Sequence, residues 1–185
     1  MKKIRKWQIT VFIIAFLFAG MGLFTISPGA RISAKHEYII SKYYRFETLS
    51  ETGIEQWFTP EYNYLEAIEL FLANIYENSN GEIVLELENE KGKRIFRKSY
   101  AASDIPAGEF VKYPIGKNLK EKEPYKIRIS YTGDTAGEET VPVLMISDKN
   151  KNLPETQEAF SNGQELDYNV AITYHYAQKK WFSLS

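Results

Sequence analysis

Hydrophobic and polar residues alternate with a period of two along much of this chain, which is the mark of strands with one face on a core and the other toward water. The clearest case is Tyr125, Ile127, Ile129 and Tyr131, set between Lys126, Arg128, Ser130 and Thr132. Ile83, Leu85 and Leu87 alternate with Glu82, Glu86 and Glu88, and Asn89-Glu90-Lys91-Gly92 then supplies turn residues before a strand around Ile95 to Ser99. That order predicts a β-hairpin. Further strands are expected at Ile54 to Thr59, Glu109 to Pro114, Val141 to Ser147 and Val170 to Tyr176. Leu65, Ile68, Leu72, Ile75 and Tyr76 fit a helical face, but Ile68, Leu70 and Leu72 also alternate with Glu69 and Phe71, and the segment is read as strand. His36 to Phe46, with Tyr38, Ile39, Ile40, Tyr43, Tyr44 and Phe46, fits either a juxtamembrane helix with aromatics at headgroup level or an irregular first strand. Asn150 to Asn162 carries proline and charge with little periodicity, and reads as a long loop with room for a short helical turn around Glu155 to Phe160. About seven or eight short strands separated by turns predict an all-β fold, an antiparallel β-sandwich of jelly-roll topology.

The N-terminal pattern is of another kind. Lys2, Lys3, Arg5 and Lys6 precede an apolar stretch from Trp7 to Ile26 in which Val11 to Phe24 carries no charged group. About 20 apolar residues suffice to cross the hydrocarbon core. The positive-inside rule keeps the basic stub in the cytoplasm and places everything after Pro28 outside. A cleaved signal peptide shares this charge order, but its apolar region is ordinarily shorter, and no A-x-A site follows here. The expected organisation is therefore a cytoplasmic stub (1–6), a transmembrane signal-anchor helix (7–26), a juxtamembrane linker with a first irregular segment (27–52), and an extracytoplasmic sandwich domain (53–185). The expected localisation is a cell membrane crossed once.

Composition narrows the function classes. A formal charge of −1 leaves no overall basic field for nucleic acid, which is set aside as a partner. The absence of cysteine removes disulfides, thiolate catalysis, cysteine-based zinc sites and a lipoprotein anchor.

The order of features resembles extracytoplasmic jelly-roll modules attached to bacterial membrane glycosyltransferases and other envelope-polysaccharide proteins. The matching pieces are Gln56-Trp57-Phe58, Leu65 with Ile68 to Leu72, Asn80-Gly81 with the strand to Leu87, Gly92 to Ile95, and Ala102 to Ile105. They continue with Phe110 to Ile115, Tyr125 to Ile129, and Gly163 followed by Leu166-Asp167-Tyr168 and Val170 to Tyr174. The resemblance implies a fold like that of carbohydrate-binding modules and a place in the cell envelope. This chain departs from the family's multi-span architecture in having one expected anchor.

Candidate chemistry is sparse. His36 and His175 lie far apart, and no G-x-S-x-G elbow is present. Glu66 with Glu69, and Glu82 with Glu86 and Glu88, could pair as glycosidase carboxylates, but alternating glutamates are also what a solvated strand face requires. Asp148, Asn150 and Asn152 alternate as in a calcium loop without its glycine or terminal glutamate. No enzyme, metal or cofactor is expected. Aromatic side chains remain, because flat rings pack on the C–H faces of sugars. The carbohydrate-binding candidates are Tyr62 and Tyr64 on a loop after Thr59-Pro60, then Trp57, for which a core position is the stronger reading, and Trp181, which a terminal strand or a partner contact explains equally well. The expected partners are the cytoplasmic membrane, an envelope polysaccharide, and a membrane glycosyltransferase or other envelope protein. A purely structural or protein-interaction subunit is the alternative function.

Overall fold

The computed structural model describes residues 31–36, 44–73, 80–133, 141–148 and 156–179. The chain divides into two units. One is Ser33–Gln178, which holds the sandwich; the other is Met1–Ile32 with Lys179–Ser185, of which only Arg31, Ile32 and Lys179 are described. The expected span at 7–26 and Trp181 lie outside the described residues. Among the described residues no helix is long and apolar enough to cross a membrane.

The described residues form thirteen strands: β1 (Arg31–His36), β2 (Tyr44–Thr48), β3 (Ile54–Phe58), β4 (Tyr64–Ala73), β5 (Glu82–Asn89), β6 (Arg94–Ala101), β7 (Glu109–Asn118), β8 (Tyr125–Thr132), β9 (Val143–Asp148), β10 (Thr156–Ser161), β11 (Gln164–Leu166), β12 (Tyr168–Val170) and β13 (Thr173–Lys179). A single 3-10 turn at Ala102–Asp104 is the only helical element among them. Six strands make one sheet in the order β11-β10-β3-β8-β5-β6. Seven make the other, with β1-β13-β4-β9-β12 in line, β7 on β4 and β2 on β9. The fold is an antiparallel β-sandwich.

The core lies between the sheets. Ile54, Phe58, Ile83, Leu85, Leu87, Ile127 and Ile129 of the six-stranded sheet meet Ile68, Leu70, Leu72, Tyr113, Leu144, Tyr174 and Tyr176 of the other. Phe58 stacks on Tyr174 across the gap, with ring centroids 4.9 Å apart. The predicted hairpin is present: Asn89 Oδ1 accepts the backbone N–H groups of Lys91 and Lys93, and Gly92 takes a φ of +71°, where an L side chain is strained.

One polar side chain sits inside this apolar layer. Gln56 is fully buried on β3, between Ile54 and Phe58 on the inward face. Its Nε2 donates to the carbonyls of Trp57 and Glu158, and its Oε1 accepts the backbone N–H of Val170 at 2.9 Å. Val170 belongs to the other sheet, so one amide ties β3 to both β10 and β12. A buried amide is tolerated only when its hydrogen bonds are made, and these are.

The structure corrects several expectations. Within the segment read as a loop with a helical turn, Thr156–Ser161 is a strand paired antiparallel with β3 and β11. The pairing shifts register between Thr156 and Ala159, and this bulge breaks the period-two pattern. The single strand expected at Val170 to Tyr176 is two, β12 and β13, separated at Ala171 and Ile172. Of the segment read as helix or strand, Tyr44–Thr48 is a regular strand on β9. β1 and β2, which precede the expected boundary at Gly53, are strands of the seven-stranded sheet.

Replacing Gln56 by leucine keeps the volume but strands the Val170 N–H and the Glu158 carbonyl. The expected cost is about 2 to 4 kcal/mol in a denaturant or thermal melt, since each unsatisfied buried group costs about 1 to 3 kcal/mol. A melt unchanged by Gln56→Leu would show that the amide does not tie the sheets.

Candidate functional site

Alternation along β2, β4, β7 and β9 turns one set of side chains to the core and the other away from it. On the face turned away, four aromatic rings form a row. Phe46 lies opposite Met145, and Phe71 opposite Phe110. Successive centroids are 6.1 Å apart from Tyr44 to Phe46, 5.9 Å from Phe46 to Phe71 and 5.4 Å from Phe71 to Phe110. Their planes are inclined by 80°, 40° and 72°. Met145 and Ala171 are buried beneath, with Phe71 packed on them. Tyr44 is 55%, Phe46 42% and Phe110 37% exposed. A contiguous aromatic row on a sheet face is a mark of a contact surface.

The core side of β2 fixes this row in place. Tyr168 of β12 donates its hydroxyl to Glu47 Oε2 at 2.9 Å, and the Arg45 guanidinium lies 4.2 Å from the centroid of the same ring. Burial first, and then the hydrogen bond and charge of Glu47, push the Tyr168 phenol up to about 12, so it stays a neutral donor at physiological pH. Tyr44 faces Ser147, and Ser147 faces Asn169 on β12. Asn169 is buried, and its Oδ1 has no hydrogen-bond partner among the described residues.

The outer face of the six-stranded sheet is charged instead. Register places Glu55, Arg128, Glu86 and Arg97 in one row across β3, β8, β5 and β6, and Trp57, Lys126, Glu88 and Arg94 in the next. Lys126 Nζ reaches Glu55 at 2.9 Å and Glu88 at 3.2 Å. Glu86, expected on a solvated face, is only 3% exposed. Arg128 donates to its Oε2 from Nε at 2.8 Å and also from Nη2, Arg94 donates to its Oε1 at 2.6 Å, and Arg97 stands 3.7 Å away. Burial alone would raise the Glu86 carboxyl, but the hydrogen bonds of Arg128 and Arg94 and the surrounding positive charge outweigh it and hold the group below the ordinary carboxylate value.

The structure disperses the aromatics singled out from the sequence. Trp57 is half-buried on the outer face of the six-stranded sheet, with Lys126 Nζ 5.8 Å from its ring centroid, and it is Phe58 that fills the core. Tyr62 packs against the core cluster with its ring 5.6 Å from that of Tyr176. Tyr64 opens β4 opposite Asn118. Phe71 and Phe110 were not among the candidates, although Phe71 shares the outward parity of Glu69, and an aromatic at a polar-parity position is the signal that would have found it.

His175 Nε2 stands 3.2 Å from Glu69 Oε2 on the outer side of β13 and β4. Among the described residues no group of three or more histidines or carboxylates could hold a metal ion.

The lowered Glu86 carboxyl makes a pH prediction. A depressed folded-state value means that its stabilisation is fully present above the ordinary 4.5 and is lost as the pH falls through the lower folded value. The melting temperature should therefore drop as the pH is taken below about 4.5. Glu86→Gln should cost about 2 to 4 kcal/mol at neutral pH and flatten that part of the profile. An identical acid profile in the variant would dismiss the role of Glu86.

No family model matches the chain, and no curated protein does. Among solved structures, the crystal structure of Yersinia pseudotuberculosis-derived mitogen matches with a TM-score of 0.30 and 13% identity, over 69% of this chain and 96% of that chain. A likeness of that size carries no argument about fold topology or function.

Proposed function

We propose that this chain is a membrane-anchored, extracytoplasmic and non-enzymatic interaction module, a jelly-roll sandwich that supports a polysaccharide-assembly partner in the cell envelope. The basic stub and apolar stretch of the sequence support the anchor. The observation that carries the interaction reading is the row of Tyr44, Phe46, Phe71 and Phe110 on the outer face of the seven-stranded sheet. The rings are steeply inclined to one another, so the row presents edges and ridges rather than a flat platform. That relief suits interdigitation with apolar side chains of another protein better than stacking on a sugar ring. Three of the four are phenylalanines, which bring no hydrogen-bonding group to orient hydroxyls.

A second reading, direct glycan binding, rests on Tyr44, the most exposed ring of the row at 55%, whose hydroxyl could hydrogen-bond a sugar. The unpartnered Asn169 oxygen on the same face is buried and out of a sugar's reach.

A photo-crosslinking residue placed at Phe46 or Phe110 of the full chain in its membrane should give an adduct with a glycosyltransferase or other polysaccharide-assembly protein. The same residue placed at Glu123, in the turn before β8, should not. Adducts with polysaccharide alone would favour the second reading, and equal labelling from all three positions would refute the row as a contact surface. Phe46→Ser with Phe110→Ser should abolish the specific adduct and change stability by only about 1 kcal/mol, because both rings are substantially exposed.

Topology is tested separately. Protease added to intact spheroplasts should digest the sandwich and leave the N-terminus on the membrane; protection of the sandwich would reverse the orientation.

A further inference from the structure

The charge rows on the six-stranded sheet do not balance at their β6 end. Glu86 receives two hydrogen bonds from Arg128, from Nε and Nη2, which already satisfy one of its oxygens and neutralise its charge. Across the two rows four cations meet three carboxylates, and the excess positive charge falls at the β6 end, where Arg94 and Arg97 gather on a carboxylate that Arg128 already pairs. Both project from the last strand in the sheet order and stay accessible, at 48% and 53% exposure. Arg97 approaches Glu86 only to 3.7 Å, beyond hydrogen-bonding range. Lys91 and Lys93 extend the same edge into the turn, whereas Lys98, opposite Leu85, has the core-side parity and its Nζ lies 4.8 Å from the centroid of the Tyr100 ring. Over residues 90–98 the sequence carries five basic residues and a single acid, Glu90, in a chain of net charge −1.

Register sets the spacing. Arg97 is opposite Glu86 and Arg94 opposite Glu88, two residues apart on β5, or about 7 Å along the strand. Lysines on an edge strand also discourage strand-to-strand association, and Lys93 and Lys98 satisfy that need without help. They give no reason for two more guanidiniums gathered on a carboxylate already paired. Guanidinium forks suit phosphate oxygens in pairs, and a strand holding them at a fixed interval suits a repeating anion.

We propose that the β6 edge, through Arg94 and Arg97 with Lys91 and Lys93 beside them, is a binding site for a linear polymer bearing phosphate groups. It is independent of the aromatic row, which lies on the other sheet. Glu86 acts as a positioning residue, holding the Arg94 side chain at the edge by its 2.6 Å hydrogen bond. Binding is electrostatic, and falls steeply as salt screens it.

The test titrates the full chain, in a non-ionic detergent, with inorganic polyphosphate. Saturable binding that weakens with added salt is expected, and Arg94→Gln with Arg97→Gln should reduce the affinity about tenfold, the scale of one charge-assisted hydrogen bond lost. Lys112→Gln, on the exposed outer face of β7, should leave it unchanged. Because Arg94 also donates to the buried Glu86, the double variant should melt below the parent, so its binding is read well below its own melting transition. Lys91→Gln with Lys93→Gln, at exposed positions of the β5–β6 turn, should lower the affinity while the melt stays close to the parent, which separates lost binding from lost fold. No binding at physiological salt, equal binding by either double variant, or an equal loss with Lys112→Gln would overturn the proposal. So would binding to vesicles of anionic phospholipid without binding to polyphosphate, which would make the edge a membrane contact. Loss of the crosslinks from Phe46 and Phe110 would leave this result untouched.

Discussion

Closure of the sandwich depends on the amide of Gln56. Apolar side chains from two sheets attract one another without direction, and many relative placements would bury nearly the same area. A buried amide with three obligatory partners is different, because sliding either sheet by one residue would leave its N–H or carbonyl groups unpaired in an apolar layer. Gln56 takes its partners from β3 itself, from the bulged strand β10 and from β12 of the opposite sheet. The bulge in β10 brings the Glu158 carbonyl within reach, so an irregularity in one strand and a polar residue in another are parts of one device. Phe58 and Tyr174, stacked beside it, can then meet ring on ring.

With the core closed, the two outer faces take opposite solutions to the same problem. A sheet face turned away from the core is half-wet, and its side chains must either satisfy their charges or present apolar surface. On the six-stranded sheet, cross-strand neighbours alternate in sign, and long arginine and lysine side chains cover what lies below them, which is why Val84 and Glu86 are buried on an outward face. On the seven-stranded sheet, Phe46, Met145, Phe71 and Phe110 meet across four strands without a charge among them. The difference is a matter of residue choice at outward parity, not of backbone, since both sheets are antiparallel ladders of similar length.

The strands were legible wherever the alternation was clean. β5, β6 and β8 fall within a residue or two of expectation, because a half-buried strand must alternate. β4 was read correctly over its helical rival, since Glu69 and Phe71 keep outward parity between Ile68, Leu70 and Leu72. β10 was hidden by its bulge, which shifts parity in mid-strand. The burial of Glu86 could not be read from β5 alone, because it is set by Arg128, Arg94 and Arg97 on two other strands, and cross-strand register is absent from a linear pattern. For the same reason Trp57 and Phe58 could be told apart only once β3 was paired. Tyr62 carried no local sign that Tyr176, far along the chain, would pack on it. The aromatic row is the most instructive case: its members lie on β2, β4 and β7, and no window of the sequence holds more than two of them.

The size of the aromatic row limits what it can do alone. An aromatic side chain offers about 150 to 250 Å², and at the exposures found the row leaves roughly 300 Å² for a partner, whereas a stable interface between soluble proteins takes roughly 800 Å² from each side. Free in solution, the sandwich would hold a partner weakly. The proposed anchor changes that arithmetic, because confining two proteins to one membrane raises their effective concentration without adding any contact. A small, edge-on apolar ridge that would be inadequate on a secreted domain becomes sufficient on a tethered one, and it stays small enough to leave the domain soluble beside the membrane. On the proposed reading anchor and row act together, the first 26 residues supplying the proximity that four rings on a sheet face require.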